Sequence, residues 1–171
     1  MFAALWQRLD QGARLVVPFA SACGFALIGV VAWPLPSFGE VAPPLALIAV
    51  YYWAIYRPDL FRPGMAFAIG LLNDALHFLP LGLTALVFVG VHQLVLRQRR
   101  FFAGHSFFVV WWGFTLTALI AMFAEWALLC LFRWQLFPFL PVLLQMLLAV
   151  VIFPLPCWLL IKLQRAALTA N

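Results

Sequence analysis

The chain has 171 residues, of which 67% are hydrophobic and only 9% are charged. A soluble domain carries roughly 25% charged residues, so this composition excludes an ordinary soluble protein and predicts an integral membrane protein. The formal net charge is +5 at pH 7. Because the basic residues lie in short segments between apolar runs, this charge does not indicate nucleic-acid binding.

Apolar runs of spanning length predict an all-α membrane protein, a six-helix transmembrane bundle that forms one domain over residues 1–171. Residues 1–14 have an amphipathic pattern, which predicts a segment lying along the inner membrane surface. The predicted spans follow in chain order and cover residues 15–33, 41–56, 64–79, 82–96, 107–131 and 139–161.

Aromatic and proline residues mark the ends of two of these spans. The second span enters through Pro43-Pro44, which suits a helix N-terminus. Its exit carries aromatic side chains that predict a belt at the membrane interface, Tyr51, Tyr52, Trp53 and Tyr56. In the sixth span, Pro154 and Pro156 predict a kink.

The distribution of basic residues predicts the orientation. Nine of the ten lysine and arginine residues lie at the termini and in the loops after spans two and four, whereas Arg133 alone lies in the other loops. The positive-inside rule then places both termini and residues 97–105 in the cytoplasm of a bacterial inner membrane. Residues 34–40 and 133–138 are expected on the outer side.

The stretch of residues 67–86 stands out because it contains a carboxylate within an apolar run. An aspartate near the centre of a membrane helix costs about 2.5–3.5 kcal/mol on insertion scales, so Asp74 needs a partner, a structural network or a function. Helical spacing places it on one face with Ala66, Gly70, Asn73 and His77. The Ala66/Gly70 pair predicts close approach of another helix, as does the stripe Gly113, Thr117, Ala121.

Three states are open to Asp74. It is protonated, it receives a donor from a partner protein, or it accepts hydrogen bonds from His77, Asn73 or the free amides around the turn Pro80-Leu81-Gly82. We favour the third state, in which the carboxylate fixes the hairpin between spans three and four and so shapes a partner-binding surface.

The other polar groups in the spans are few. Glu125 is a possible secondary polar site, although it is also placed to reach the outer interface or to pair with Arg133. Asp74 and His77 are expected in the outward half of span three and Glu125 near the outer end of span five, whereas His92 and Gln93 lie near the inner end of span four. Gln145 lies in span six, so these few groups are expected to be dispersed between the two leaflets. We find no catalytic motif, no metal-ligand spacing and no indication of a cofactor.

The run Phe67, Gly70, Leu71, Asp74 and Pro80-Leu81-Gly82 resembles the core motif of the bacterial rod shape-determining protein MreD family. The segment from Pro43-Pro44-Leu45 through Tyr52-Trp53 to Pro58 is similar to the second-helix segment of that family. The resemblance covers residues 43–86, and the later half of the chain matches in hydropathy only. Asn73 and His77 are not features that the family has to share.

The resemblance implies a non-enzymatic scaffold of the cell-elongation complex, embedded in membrane lipid and without nucleic acid. It implies direct binding of MreC, and contact through the complex with MreB, RodA and a class B transpeptidase. We hypothesise that a single-pass helix, that of MreC, packs on close-approach surfaces such as Ala66/Gly70 or Gly113/Thr117/Ala121. It also implies a fold similar to the six-helix substrate-binding subunits of energy-coupling-factor vitamin transporters. A small-molecule-binding transporter subunit is therefore the alternative, and a proton-coupled transporter using Asp74 and Glu125 is a third possibility.

Overall fold

The computed structural model describes residues 2–30, 33–35, 39–102 and 106–168, with side chains over 16–30, 42–99 and 106–166. Over these ranges the chain forms helices joined by short connections, together with one short antiparallel ribbon. The helices are α1 (Phe2–Gly29), α2 (Leu45–Tyr56), α3 (Pro63–Leu76), α4 (Leu83–Phe102), α5 (Phe107–Arg133), α6 (Leu140–Ile152) and α7 (Pro154–Leu168). The ribbon pairs β1 (Trp33–Leu35) with β2 (Gly39–Val41) in the register Trp33↔Val41.

Helix α2 forms the centre of the bundle. Every residue from Leu45 to Ile55 is buried, because α1, α4 and α7 pack around it and α3 and α5 add further contacts. A helix that is apolar on all sides is expected to be buried on all sides. Its start after Pro44 agrees with the helix entry predicted at Pro43-Pro44.

The predicted aromatic belt on α2 is wrong for three of its four residues. Tyr51, Tyr52 and Trp53 are at most 2% exposed, and only Tyr56 is exposed. Their polar atoms find partners inside the bundle, since the Tyr51 hydroxyl donates to the Val110 carbonyl (2.9 Å) and Trp53 Nε1 donates to Ser21 Oγ (2.9 Å). Buried tyrosine and tryptophan need such partners, so these rings tie α2 to its neighbours rather than anchoring it at an interface.

Helices α3 and α4 make the most extensive helix–helix contact of the described chain. At its centre Gly70 is so close to α4 that an added Cβ would lie 2.3 Å from Ala85 Cα and 2.6 Å from Ala85 N. The close approach predicted at Ala66/Gly70 is therefore present, but it joins two helices of this chain.

The same is true of the second small-residue stripe. Gly113, Thr117 and Ala121 are all buried within the bundle. Neither stripe is available to a partner helix, so the expectation that MreC packs on one of them is wrong. Small residues let backbones approach closely, but the sequence does not reveal whether the approaching helix belongs to this chain or to a partner.

The helices differ in length from the predicted spans. The predicted surface segment and first span form the single helix α1, which continues through Pro18 and ends at Gly29 rather than at Trp33. The predicted third span is cut short, because α3 ends at Leu76. Side chains of residues 1–15, and residues 36–38 and 103–105, lie outside the described residues, so the amphipathic surface contacts and parts of two predicted loops are not described.

By length and composition, α5 is the one described helix that suffices alone to cross a membrane. The pair α6 and α7 passes the same criterion as one broken span bent by 48°. The break falls at Phe153 and Pro154, which confirms the predicted kink. With 12 and 14 residues, α2 and α3 are shorter than the roughly 20 residues of a full span, so the count of six spans stays a prediction.

Candidate functional site

The turn between α3 and α4 is built around two residues with positive φ. Phe78 has φ 53° directly after the helix cap His77, and Gly82 has φ 100° just before α4. The Leu79 amide donates to the Asp74 carbonyl (2.9 Å), which is the long hydrogen bond of a helix end closed by a left-handed residue. Glycine usually occupies the position of Phe78, since a side chain is strained there.

The Asp74 side chain fills the inside of this turn. It is 0% exposed, and each of its oxygens accepts a backbone hydrogen bond, Oδ2 from the Gly82 amide (2.8 Å) and Oδ1 from the Thr84 amide (2.9 Å). The first amides of a helix have no partner within the helix and favour a negative group. Asp74 therefore caps α4 from the end of α3, and the favoured prediction that it accepts amides at the turn is confirmed.

Thr84 extends this network to a third helix. Its hydroxyl donates to Glu125 Oε1 on α5 (3.0 Å), and its own side chain is completely buried. The predicted alternative, in which Glu125 pairs with Arg133, is wrong, because Arg133 lies exposed two helical turns further along α5. One threonine thus links the carboxylates of Asp74 and Glu125 and joins α3, α4 and α5.

A cavity of about 420 Å³ opens beside this network. Its wall is mainly apolar and comes from the α1–α2 connection, the α3–α4 turn and the α5–α6 connection, including Pro43, Leu79 and Phe137. The polar side chains that line it are Asn73, His77, Glu125 and Gln145.

The expectation that the polar groups do not converge is wrong for the four side chains that line the cavity, whereas His92 lies at the opposite end of the bundle, as predicted. Asn73 and His77 come from the end of α3, Glu125 from the second half of α5, and Gln145 from the start of α6. Antiparallel packing brings all of these segments to one end of the bundle. The buried His92 lies apart from this group, with Nε2 2.8 Å from the Phe61 carbonyl just before α3.

Two of the lining side chains are held by backbone carbonyls. His77 Nδ1 lies 2.9 Å from the Asn73 carbonyl oxygen, one turn earlier in α3. Gln145 Nε2 donates to the Ala42 carbonyl (3.0 Å) and so fixes the α1–α2 connection against α6. The polar part of the cavity is therefore pre-formed, as binding sites usually are.

Exposed apolar residues surround the same end of the molecule. Phe78 is 90% and Trp134 is 91% exposed, and Leu81 and Leu136 are also exposed. Both aromatic residues have left-handed backbones, with φ values of 53° and 51°. In both cases the left-handed backbone ends a helix, and the ring itself is left exposed. Non-glycine residues are strained in this conformation, and such strain is enriched at functional positions.

The remaining predicted residues have structural positions. Phe67 is exposed on α3 away from the cavity lining, Gly70 lies at the α3–α4 contact, and the Pro80 carbonyl accepts the Leu83 amide (3.1 Å). Thr84 and the aromatic pair Phe78 and Trp134 were not predicted from the sequence. Thr84 could have been recognised as a single hydroxyl residue two positions after Gly82. No sequence pattern indicates the left-handed backbone of Phe78 and Trp134.

A family model described as rod shape-determining protein MreD matches residues 12–163 of the chain. The chain belongs to the MreD family. The match extends from α1 to α7, so it includes the later half of the chain as well as the α3–α4 turn and the cavity. Membership of the family makes this a membrane protein of bacterial rod-shape determination.

Neither the comparison with curated proteins nor the comparison with solved structures gave a match. The likeness of the fold to vitamin-transporter subunits therefore stays a prediction, and the site is interpreted from its own geometry.

Proposed function

We propose that this chain is a non-enzymatic scaffold subunit of the cell-elongation complex in the bacterial inner membrane, and that it binds MreC at the end of the bundle that carries the cavity. Through MreC it would act with MreB, RodA and a class B transpeptidase to maintain rod shape and direct peptidoglycan synthesis. Family membership supports the role in rod shape. The named partners are part of the proposal.

The binding surface is inferred from the two strained, exposed aromatic residues at the cavity end. Phe78 lies between the cavity-lining residues His77 and Leu79, and Trp134 begins the connection that supplies Phe137. Aromatic side chains are enriched at binding hot spots. Because both helix-packing stripes of small residues are already used inside the bundle, this end offers the better surface for a partner.

A double variant separates partner binding from folding, because stability and MreC recovery are expected to change in opposite directions. Replacing Phe78 and Trp134 together by glycine relieves two left-handed backbones, so thermal stability should stay equal or rise, by up to about 1 kcal/mol per site. Recovery of MreC from solubilised membranes and rescue of rod shape should both fall. A variant that keeps full MreC recovery and full rescue would show that the two rings serve only lipid contact.

A small-molecule-binding transporter subunit is the second candidate, because four polar side chains converge on one cavity. Its volume of about 420 Å³ lies within the roughly 300–1,000 Å³ of small-molecule sites. Loss of rod shape without loss of MreC recovery in cavity variants would favour this candidate over the scaffold.

A further inference from the structure

The two carboxylates of the network differ in how well they are satisfied. Asp74 accepts one amide on each oxygen and faces the N-terminus of α4. Glu125 accepts one hydroxyl, from Thr84, and is one of the residues that line the cavity. A carboxylate offers about four acceptor sites, so Glu125 can accept further hydrogen bonds.

In the part of the chain that the structure describes, no lysine or arginine lines the cavity beside Glu125. Among the described residues that line it, His77 is the one basic side chain. The second carboxylate, Asp74, lies just behind Thr84. A carboxylate away from water is costly unless it is paired, and a ligand that carries the positive charge would supply the pair.

The rest of the wall suits an apolar body attached to such a charge. Trp126 and Phe88 line the cavity with several prolines and aliphatic side chains. The Trp126 indole N–H is already bonded to the Phe137 carbonyl (3.1 Å), so the ring contributes apolar and π surface rather than a donor. Asn73 and Gln145 add hydrogen-bonding groups that a polar substituent can meet.

We propose that this cavity binds an organic cation, an ammonium or guanidinium group on a small apolar body, paired with Glu125. The same chemistry is available from a free amine and from a lysine or arginine side chain of a protein partner. The assignment of a cation site does not depend on the proposed scaffold function.

The test uses the full-length purified chain in detergent with n-butylammonium chloride as the probe. Thermal unfolding is compared with 1-butanol at equal concentration, with sodium chloride added to match ionic strength. The cation should raise the melting temperature more than the alcohol does. Equal shifts from the two probes in the unmodified chain would overturn the proposal, whatever the variants do.

Two variants assign the effect to Glu125. Glu125→Gln keeps the acceptor for Thr84 but removes the charge, and it should weaken butylammonium binding at least about tenfold. Asp59→Asn removes an acidic charge from the exposed α2–α3 turn and should leave binding unchanged. Equal loss in both variants, or undiminished cation preference in Glu125→Gln, would overturn the site.

Co-purified MreC distinguishes the two sources of the cation. If a partner side chain occupies the cavity, butylammonium should displace MreC in a dose-dependent manner. If a free amine is the ligand, butylammonium should raise the melting temperature through Glu125 while MreC recovery does not change. Unchanged recovery without that rise in melting temperature would contradict the cation site. Failure to recover MreC even without the probe would contradict the scaffold function and leave the cation site standing.

Discussion

At the scale of single residues, Asp74 shows how this chain accommodates a carboxylate in an apolar segment. Asp74 lies two residues before the end of α3. Its two oxygens accept hydrogen bonds from the Gly82 and Thr84 amides, which have no acceptor within a helix. The charge is thus placed where the backbone of α4 is electropositive. The cost of burial is offset locally, and the turn gains a fixed shape.

Substitutions at Asp74 should therefore be graded. Asp74→Asn keeps one acceptor oxygen but turns an NH₂ group toward the second amide, whereas Asp74→Leu leaves both amides without a partner. Each unsatisfied buried amide costs about 1–3 kcal/mol. Thermal stability, membrane levels and rod-shape rescue should decrease in the order Asp, Asn, Leu.

The exposed Asp59 provides the control, because its contact with Arg57 at 3.5 Å is a surface ion pair that contributes little. Asp59→Asn should behave as the unmodified chain. Equal rescue by the Asn and Leu variants of Asp74, at equal protein levels, would remove Asp74 from the mechanism. Failure of Asn as complete as that of Leu would indicate an essential charge and favour a transporter.

The sequence predicted the amides of the turn as partners of Asp74 because Pro80 and Gly82 interrupt the helix within reach of the carboxylate. It did not predict Thr84 or its bond to Glu125. That bond depends on the relative positions of α3, α4 and α5, which no local pattern specifies.

At the scale of secondary-structure elements, the contact between α3 and α4 depends on the missing side chain of Gly70. Gly70→Ala would place a Cβ against the backbone of Ala85, so one helix has to shift. Overpacking of this kind costs roughly 1–3 kcal/mol. The melting temperature and the membrane level of the variant should both fall.

Gly90→Ala is a matched control on α4, because an added Cβ there meets nothing within 4 Å. Alanine is the better helix former by about 1 kcal/mol, so this variant should be neutral or more stable. If the two alanine variants had the same melting temperature, the close contact at Gly70 would be wrong.

Apolar runs and prolines predicted the positions of helices well, as the start of α2 after Pro44 and the break at Pro154 show. They did not predict whether a helix lies in the core or at an interface. The aromatic residues of α2 suit an interface as well as a core, and the difference lies in long-range hydrogen bonds such as that from Tyr51 to Val110.

At the scale of the whole molecule, the cavity gathers the three connections that the charge distribution assigns to the outer side. Residues from each connection line it, including Pro43, Leu79 and Phe137. The sequence predicted that these segments share one side, but not that they surround a cavity, because that depends on how α5 packs against α4 and α6.

The orientation in the membrane is a prediction that labelling tests directly. In a chain without its three native cysteines, Gln135→Cys on the α5–α6 connection should react with an impermeant reagent in intact cells. Arg99→Cys on α4 should react only after the membrane is opened. Both positions are exposed in the fold, so the opposite pattern would refute the proposed orientation.

Binding of a partner at the cavity end of this bundle is tested by photocrosslinking from single positions. A benzophenone amino acid is placed at Phe78, and in a separate variant at Tyr56, an exposed aromatic position on α2 next to the α2–α3 turn. After irradiation of living cells, we predict an adduct with MreC from position 78 and none from position 56. An absence of MreC adducts at position 78 while MreC still co-purifies, or equal adducts from both positions, would contradict the account.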